Sequence, residues 1–143
     1  MKLIFITLIS VYLLTSCATP KPAVMLDDNT FLLTENAKSF GYGYSEDSPI
    51  EVGGVEKGEG PTNQARYLNA LTGPNGESVS YYREGSCCFS EGFSGTYLLD
   101  IYRVTWEGSK DTFSIYMDLY HYDNLKIIKR FKAKGKEYGK PKV

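Results

Sequence analysis

The residues of this 143-residue chain that could do chemistry are few: three cysteines, one histidine and some paired acids. Cys87 and Cys88 are adjacent in Glu84-Gly85-Ser86-Cys87-Cys88-Phe89, after a predicted strand and among glycines at 85, 92 and 95. Three readings are open. A disulfide between neighbours closes a strained eight-membered ring, tightens the turn and serves as a redox or binding feature. Two reduced thiols pack as small hydrophobes. One thiolate attacks a substrate with His121 as base, His121 being the only imidazole in the chain. No CxxC or HxxxH accompanies His121, so a tetrahedral metal site needs distant partners; the reading assigns no metal and places His121 as a hydrogen-bonded strand-end residue. Asp27-Asp28, Glu46-Asp47 and Asp118 with Asp123 are acid pairs a glycosidase could use, but their spacing forces no two into one cleft, and solvated turns account for them.

The third cysteine carries an address. Lys2 supplies a positive start, Leu3 to Leu14 is apolar apart from Thr7, Ser10 and Tyr12, and the run ends in Leu14-Thr15-Ser16-Cys17. Position, length and the small residue before the thiol match a cleaved export signal over residues 1–16 whose Cys17 accepts diacylglycerol. Twelve helical residues rise about 18 Å against a hydrocarbon core of about 30 Å, so acyl chains on Cys17, not a spanning helix, are expected to hold the mature chain on a membrane. Ala18 in place of Asp fits onward sorting to the outer membrane of a cell envelope. Export also predicts an oxidising compartment for Cys87 and Cys88. Thr19-Pro20-Lys21-Pro22 reads as an extended tether.

Composition narrows the partners. Net charge is −1, and losing residues 1–16 removes Lys2 and no acid, so the mature chain stands at −2. That leaves no surplus of cations for a phosphate backbone, and nucleic acid is excluded as a partner. Gly53 to Gly60 lacks the Gly-Lys-Ser/Thr ending of a phosphate loop, and no cofactor is predicted. Twelve tyrosines and seven phenylalanines beside a single tryptophan are the unusual feature. They either form cross-strand ladders or leave a platform, built from Tyr102, Trp106 and Tyr116 near His121, for a glycan or peptide.

The elements that must position these residues form an α+β fold: an antiparallel sheet centred on a long β-hairpin, with one short helix packed on it. The hairpin is predicted over 97–122 with Gly108-Ser109-Lys110-Asp111 as loop and Glu107 facing Thr112. That register puts Trp106, Val104, Tyr102 and Leu98 on a core face with Phe113, Ile115, Met117, Leu119 and His121. Asp100 interrupts that face and requires a bulge or a buried donor, and the apolar Leu99 and Ile101 opposite call for cover by the helix. That helix is predicted over 63–71, capped by Thr62, with Ala65, Leu68 and Leu71 as its stripe and Thr72-Gly73-Pro74 as its stop. Further strands are expected at Phe31-Leu32-Leu33, Phe40 to Tyr44, Ile50 to Val52, Ser78 to Glu84 and Leu125 to Phe131. The organisation predicted is a signal at 1–16, lipidated Cys17 and tether at 17–28, one domain at 29–131 and a basic tail at 132–143.

The stretches Gly60-Pro61-Thr62-Asn63-Gln64, Tyr67-Leu68, Leu71-Thr72-Gly73-Pro74, Tyr82-Arg83, Gly85-Ser86-Cys87-Cys88 and Leu99-Asp100-Ile101-Tyr102 resemble a family of small Gram-negative lipoproteins. Members of that family often carry the label 2-dehydro-3-deoxyphosphooctonate aldolase. The resemblance spans roughly residues 42–122 and implies the lipoprotein address, while assigning no catalytic residue. Enzymes of that activity resemble (β/α)₈ barrels of about 250 residues, about twice the expected mature chain. The expectation is therefore a non-enzymatic structural or interaction module on the envelope. The alternatives are a binding module using the exposed aromatics, and an enzyme that is thiol-dependent or the aldolase of the label.

Overall fold

The computed structural model describes residues 18–92 and 97–135. Its strands are β1 (Met25–Asp27), β2 (Thr30–Phe31), β3 (Ile50–Glu51), β4 (Leu71–Thr72), β5 (Val79–Phe89), β6 (Leu98–Trp106), β7 (Phe113–Asp118) and β8 (Lys132–Ala133), with one α-helix, α1 (Gly60–Ala70). The main sheet has four strands in the order β3-β7-β6-β5; β5, β6 and β7 are antiparallel, and β3 joins β7 in parallel. Two small ladders, β1-β2 and β4-β8, flank it. The fold is α+β as expected, but the sheet is mixed, and its longest strand is β5, outside the hairpin.

The hairpin forms with a register two residues from the expected one: Val104 pairs with Phe113 and Asp100 with Met117. The loop is longer, 107–112, because Thr105 Oγ1 donates to the Asp111 carbonyl at 2.8 Å and the Ser109 hydroxyl meets Asp111 O at 3.1 Å, drawing Thr112 out of the ladder. A slip of two keeps every side chain on its face. Tyr102, Val104, Ile115 and Met117 are buried as foreseen, and Trp106 stacks on Phe113 with ring centres 5.4 Å apart. Asp100 finds donors, Gln64 Nε2 at 2.9 Å and Arg83 Nη2 at 2.7 Å, and β5 bulges opposite Ile101.

The helix begins at Gly60, with Pro61 in its first turn where a missing N–H costs nothing, and Glu59 rather than Thr62 occupies the cap. Its inner face is Gln64, Tyr67 and Leu68, with Ala65 only half-buried. This face lies on the Tyr102 side of the sheet, where Tyr102 Oη donates to Gln64 Oε1 at 3.0 Å, so the helix does not cover Ile101. Tyr67 is fully buried and donates to the Lys126 carbonyl at 2.6 Å.

Elsewhere the predictions and the structure part company for local reasons. Residues 40–44 form turns, not a strand, because Gly43 takes φ +80° and its carbonyl accepts from Tyr116 N–H at 2.8 Å. The stretch 125–131 contributes only a single bridge, Asn36 to Ile127, and buries Ile127, Ile128 and Phe131 beneath it. Lys132–Ala133, placed in the tail, pairs with β4, and Met25–Asp27, placed in the tether, pairs with β2. The folded unit therefore reaches beyond 29–131 at both ends.

Gly43 has little freedom to change: a Cβ there meets Ile128 Cγ2 at 2.8 Å and Ile50 Cδ1 at 2.9 Å. Gly43→Ala is expected to destabilise by about 2–4 kcal/mol, overpacking adding to the left-handed backbone penalty. Gly58→Ala, at φ +70° in open space, carries the backbone penalty alone, about 1–2 kcal/mol. Urea midpoints of the two variants measure the difference.

Candidate functional site

The parallel pairing of β3 with β7 sets Glu51 beside Asp118. Directly after β7 the chain turns back, because Asp118 Oδ1 accepts from the backbone N–H of Tyr120 at 2.7 Å and of His121 at 3.2 Å. That turn brings His121 Nδ1 to 2.8 Å from Asp118 Oδ2. From the other side Ser90, the first residue after β5, donates its hydroxyl to the same Oδ2 at 2.6 Å and stands 3.1 Å from the same Nδ1. Its own N–H donates to the Tyr97 carbonyl at 2.9 Å, which fixes the segment.

Burial alone would raise the Asp118 carboxyl, which is 1% exposed, but hydrogen bonds from Ser90, His121 and the two backbone N–H groups outweigh it and hold the group below its ordinary value. An ionised carboxylate only accepts, so His121 Nδ1 carries the proton it shares with Asp118. Glu51 moves the other way: burial raises it, and Asp118, Asp123 and Glu91 add to the rise against the pull of His121.

Serine, histidine and aspartate thus meet, but not as a relay. A hydrolytic triad places the carboxylate on one imidazole nitrogen and the hydroxyl on the other, so that the second nitrogen takes the hydroxyl proton. Here both partners face Nδ1, and the Ser90 proton is directed at Asp118. One ligand atom each from Glu51, Asp118 and His121 lies within 4.8 Å of the others, a set that could hold a divalent ion of the kind that accepts mixed imidazole and carboxylate ligands. Such an ion would replace the proton between His121 and Asp118.

Above this cluster opens a groove of about 1120 Å³, bordered by Glu46, Glu51, Glu91, Asp118, Asp123 and Cys88. Cys87 and Cys88 form a disulfide within β5, where the strand's second irregularity sets three steps, Ser86 to Phe89, against two on β6. Of the three readings of this pair the oxidised one is seen, and in that state neither sulfur is a thiolate for His121 to activate.

The proposed aromatic platform is not assembled. Tyr102 is buried against Gln64, and Trp106 is half-buried between Phe113 and Phe131. Tyr116 pairs with Ile101 on the other face, and His121 belongs to the Asp118 cluster. Among the described residues the exposed aromatics are Phe40, Tyr82, Phe89 and Tyr97. Cys17 lies outside the described residues. Sequence reasoning passed over Ser90 and Glu51, which no spacing connects to Asp118; the three-residue step from Asp118 to His121 was the one signal in reach.

No protein-family model, no curated protein and no solved structure matches the chain.

Proposed function

We propose that this chain is a lipid-anchored envelope protein whose domain is a non-enzymatic interaction module. The observation that carries the second half is the wiring of the groove: Ser90, His121 and Asp118 are tied to one another through a single imidazole nitrogen, and the two sulfurs are tied to each other. Groups arranged in this way stiffen a surface, and a stiff concave surface suits binding. Its surplus of carboxylates attracts a cationic partner.

The first half rests on the signal sequence and on the resemblance to small Gram-negative lipoproteins. The aldolase activity of that family's label is not carried forward, because a single α-helix among the described residues does not build a (β/α)₈ barrel. No helix among them is long and apolar enough to cross a membrane. The attachment is also short. Lys21 N–H donates to Asn124 Oδ1 and the Lys21 carbonyl accepts from Tyr122, so the chain joins the body four residues after Cys17, a reach of at most about 14 Å. Acylated Cys17 would hold the Tyr122 end of the domain close to the bilayer.

Cell fractionation tests the anchoring. Wild-type protein is expected wholly in the membrane fraction, and Cys17→Ala is expected to lose acylation and with it retention of the folded domain at the membrane surface. Radiolabelled palmitate on the wild type and none on the variant completes the result. A Cys17→Ala protein that is still acylated, or a wild type that never incorporates label, contradicts it.

A further inference from the structure

We propose that a second cleft, formed where the 40–44 loop, the β6–β7 hairpin and Arg130 meet, binds a phosphate ester carried on a ring. The cleft is open to solvent and offers about 790 Å³ between Phe40, Tyr44, Arg103, Lys110, Phe113 and Arg130. It is separate from the acidic groove and does not depend on it.

Charge is the first ground. A chain of net charge −1 gathers three cations here against one acid, Asp111. No ion pair joins Arg103, Lys110 or Arg130 to a carboxylate among the described residues. Two guanidinium groups and an ammonium around one opening match the several oxygens of a phosphate, which takes paired N–H donors from arginine.

Rigidity is the second. Arg103 is anchored across the ladder by its bond to Ser114 Oγ. Arg130 has φ +72°, the one non-glycine residue with positive φ among those described, and its guanidinium lies 5.6 Å from the centre of the Phe113 ring. A left-handed arginine is held at a cost of roughly 1–2 kcal/mol, and its surroundings must enforce it. They do: Tyr44 Oη donates to the Lys129 carbonyl at 2.5 Å, and Phe131 N–H reaches the Ile128 carbonyl.

Shape is the third. Tyr44 meets Phe113 edge-on at 6.1 Å, and Phe40 is 71% exposed with Lys129 above its ring at 5.3 Å. An aromatic wall beside unpaired cations suits a flat body bearing a negative group, and neither part alone uses the whole cleft.

The probe is phenyl phosphate, titrated calorimetrically into the full chain in neutral detergent, with phenol and inorganic phosphate as its separated halves. Phenyl phosphate is expected to bind at least about tenfold more tightly than either half, each added contact of 1.4 kcal/mol being a factor of ten. Arg103→Gln and Arg130→Gly should each weaken it about tenfold. Glycine at 130 relieves the backbone, so that variant should melt no lower than wild type while binding less. Phe40→Ala should reduce phenyl phosphate toward the affinity of inorganic phosphate and leave inorganic phosphate unchanged. Competition by micelles doped with phosphatidylinositol assigns the natural source to a lipid headgroup, and competition by glucose 6-phosphate to a soluble phosphosugar. Phenyl phosphate that binds no better than phenol, or equally well to the folded Arg130→Gly protein, overturns the proposal, as does competition by neither source.

Discussion

Asp118→Ala is expected to destabilise the domain by about 3–5 kcal/mol, the largest effect of any single substitution at the groove. Alanine removes the acceptor for four donors at once: the Ser90 hydroxyl, His121 Nδ1 and the backbone N–H groups of Tyr120 and His121. Ser90 is as deeply buried as Asp118, so water cannot replace what it loses. Asp118→Asn keeps an oxygen for the backbone donors but offers N–H groups to Ser90 and His121, and should lose less than alanine. The effect carries a pH signature. The carboxyl lies below its ordinary 3.8 in the folded state, so its contribution is complete above the unfolded value and disappears as pH falls through the folded one. Urea unfolding at pH 7 and pH 3 checks both points: the gap between wild type and Asp118→Asn is expected to narrow in acid.

Asp100→Ala should follow at about 2–4 kcal/mol. Asp100 accepts from Gln64 Nε2, Ser86 Oγ and both Nε and Nη2 of Arg83. The share belonging to Arg83 is small, because that side chain is half exposed and rehydrates. Most of the loss comes from Gln64, which is completely buried, and whose oxygen already serves Tyr102. If so, Gln64→Leu in the Asp100→Ala background should recover part of the stability, since removing both partners removes the stranded donor. A double variant no more stable than Asp100→Ala would locate the loss elsewhere.

The fold and the site were legible to different depths because they depend on different kinds of order. Alternation from Trp106 back to Tyr102 and from Phe113 to Met117 is a local signal, and it identified the buried face even though the loop shifted the pairing by two. The helix was visible through Leu68, although Leu71, expected as its last residue, opens β4 instead, and its start was hidden by Thr62, a good cap that the chain does not use because Pro61 already lies in the first turn. Asp100 on an apolar face announced a buried network, but its partners Gln64 and Arg83 are 36 and 17 residues away and left no trace in spacing. The groove has the same character. Glu51 meets Asp118 only through a parallel β3–β7 pairing that joins residues 67 apart, Ser90 reaches Asp118 from the end of β5, 28 residues away, and the two-residue β3 carries no periodicity to predict the pairing. Of the two readings of the aromatics, the cross-strand one holds for Tyr102 and Trp106, because the core of this small sheet is itself built from stacked and edge-on rings.

On the proposed reading the serine, histidine and aspartate of the groove hold one another and leave the serine unactivated. A fluorophosphonate reagent, which captures only activated serines, reads this directly when the intact chain is digested and mapped by mass spectrometry. No adduct on Ser90 at neutral pH is the expected outcome. An adduct on Ser90 that disappears in the His121→Ala protein would contradict it and establish a hydrolytic centre in its place.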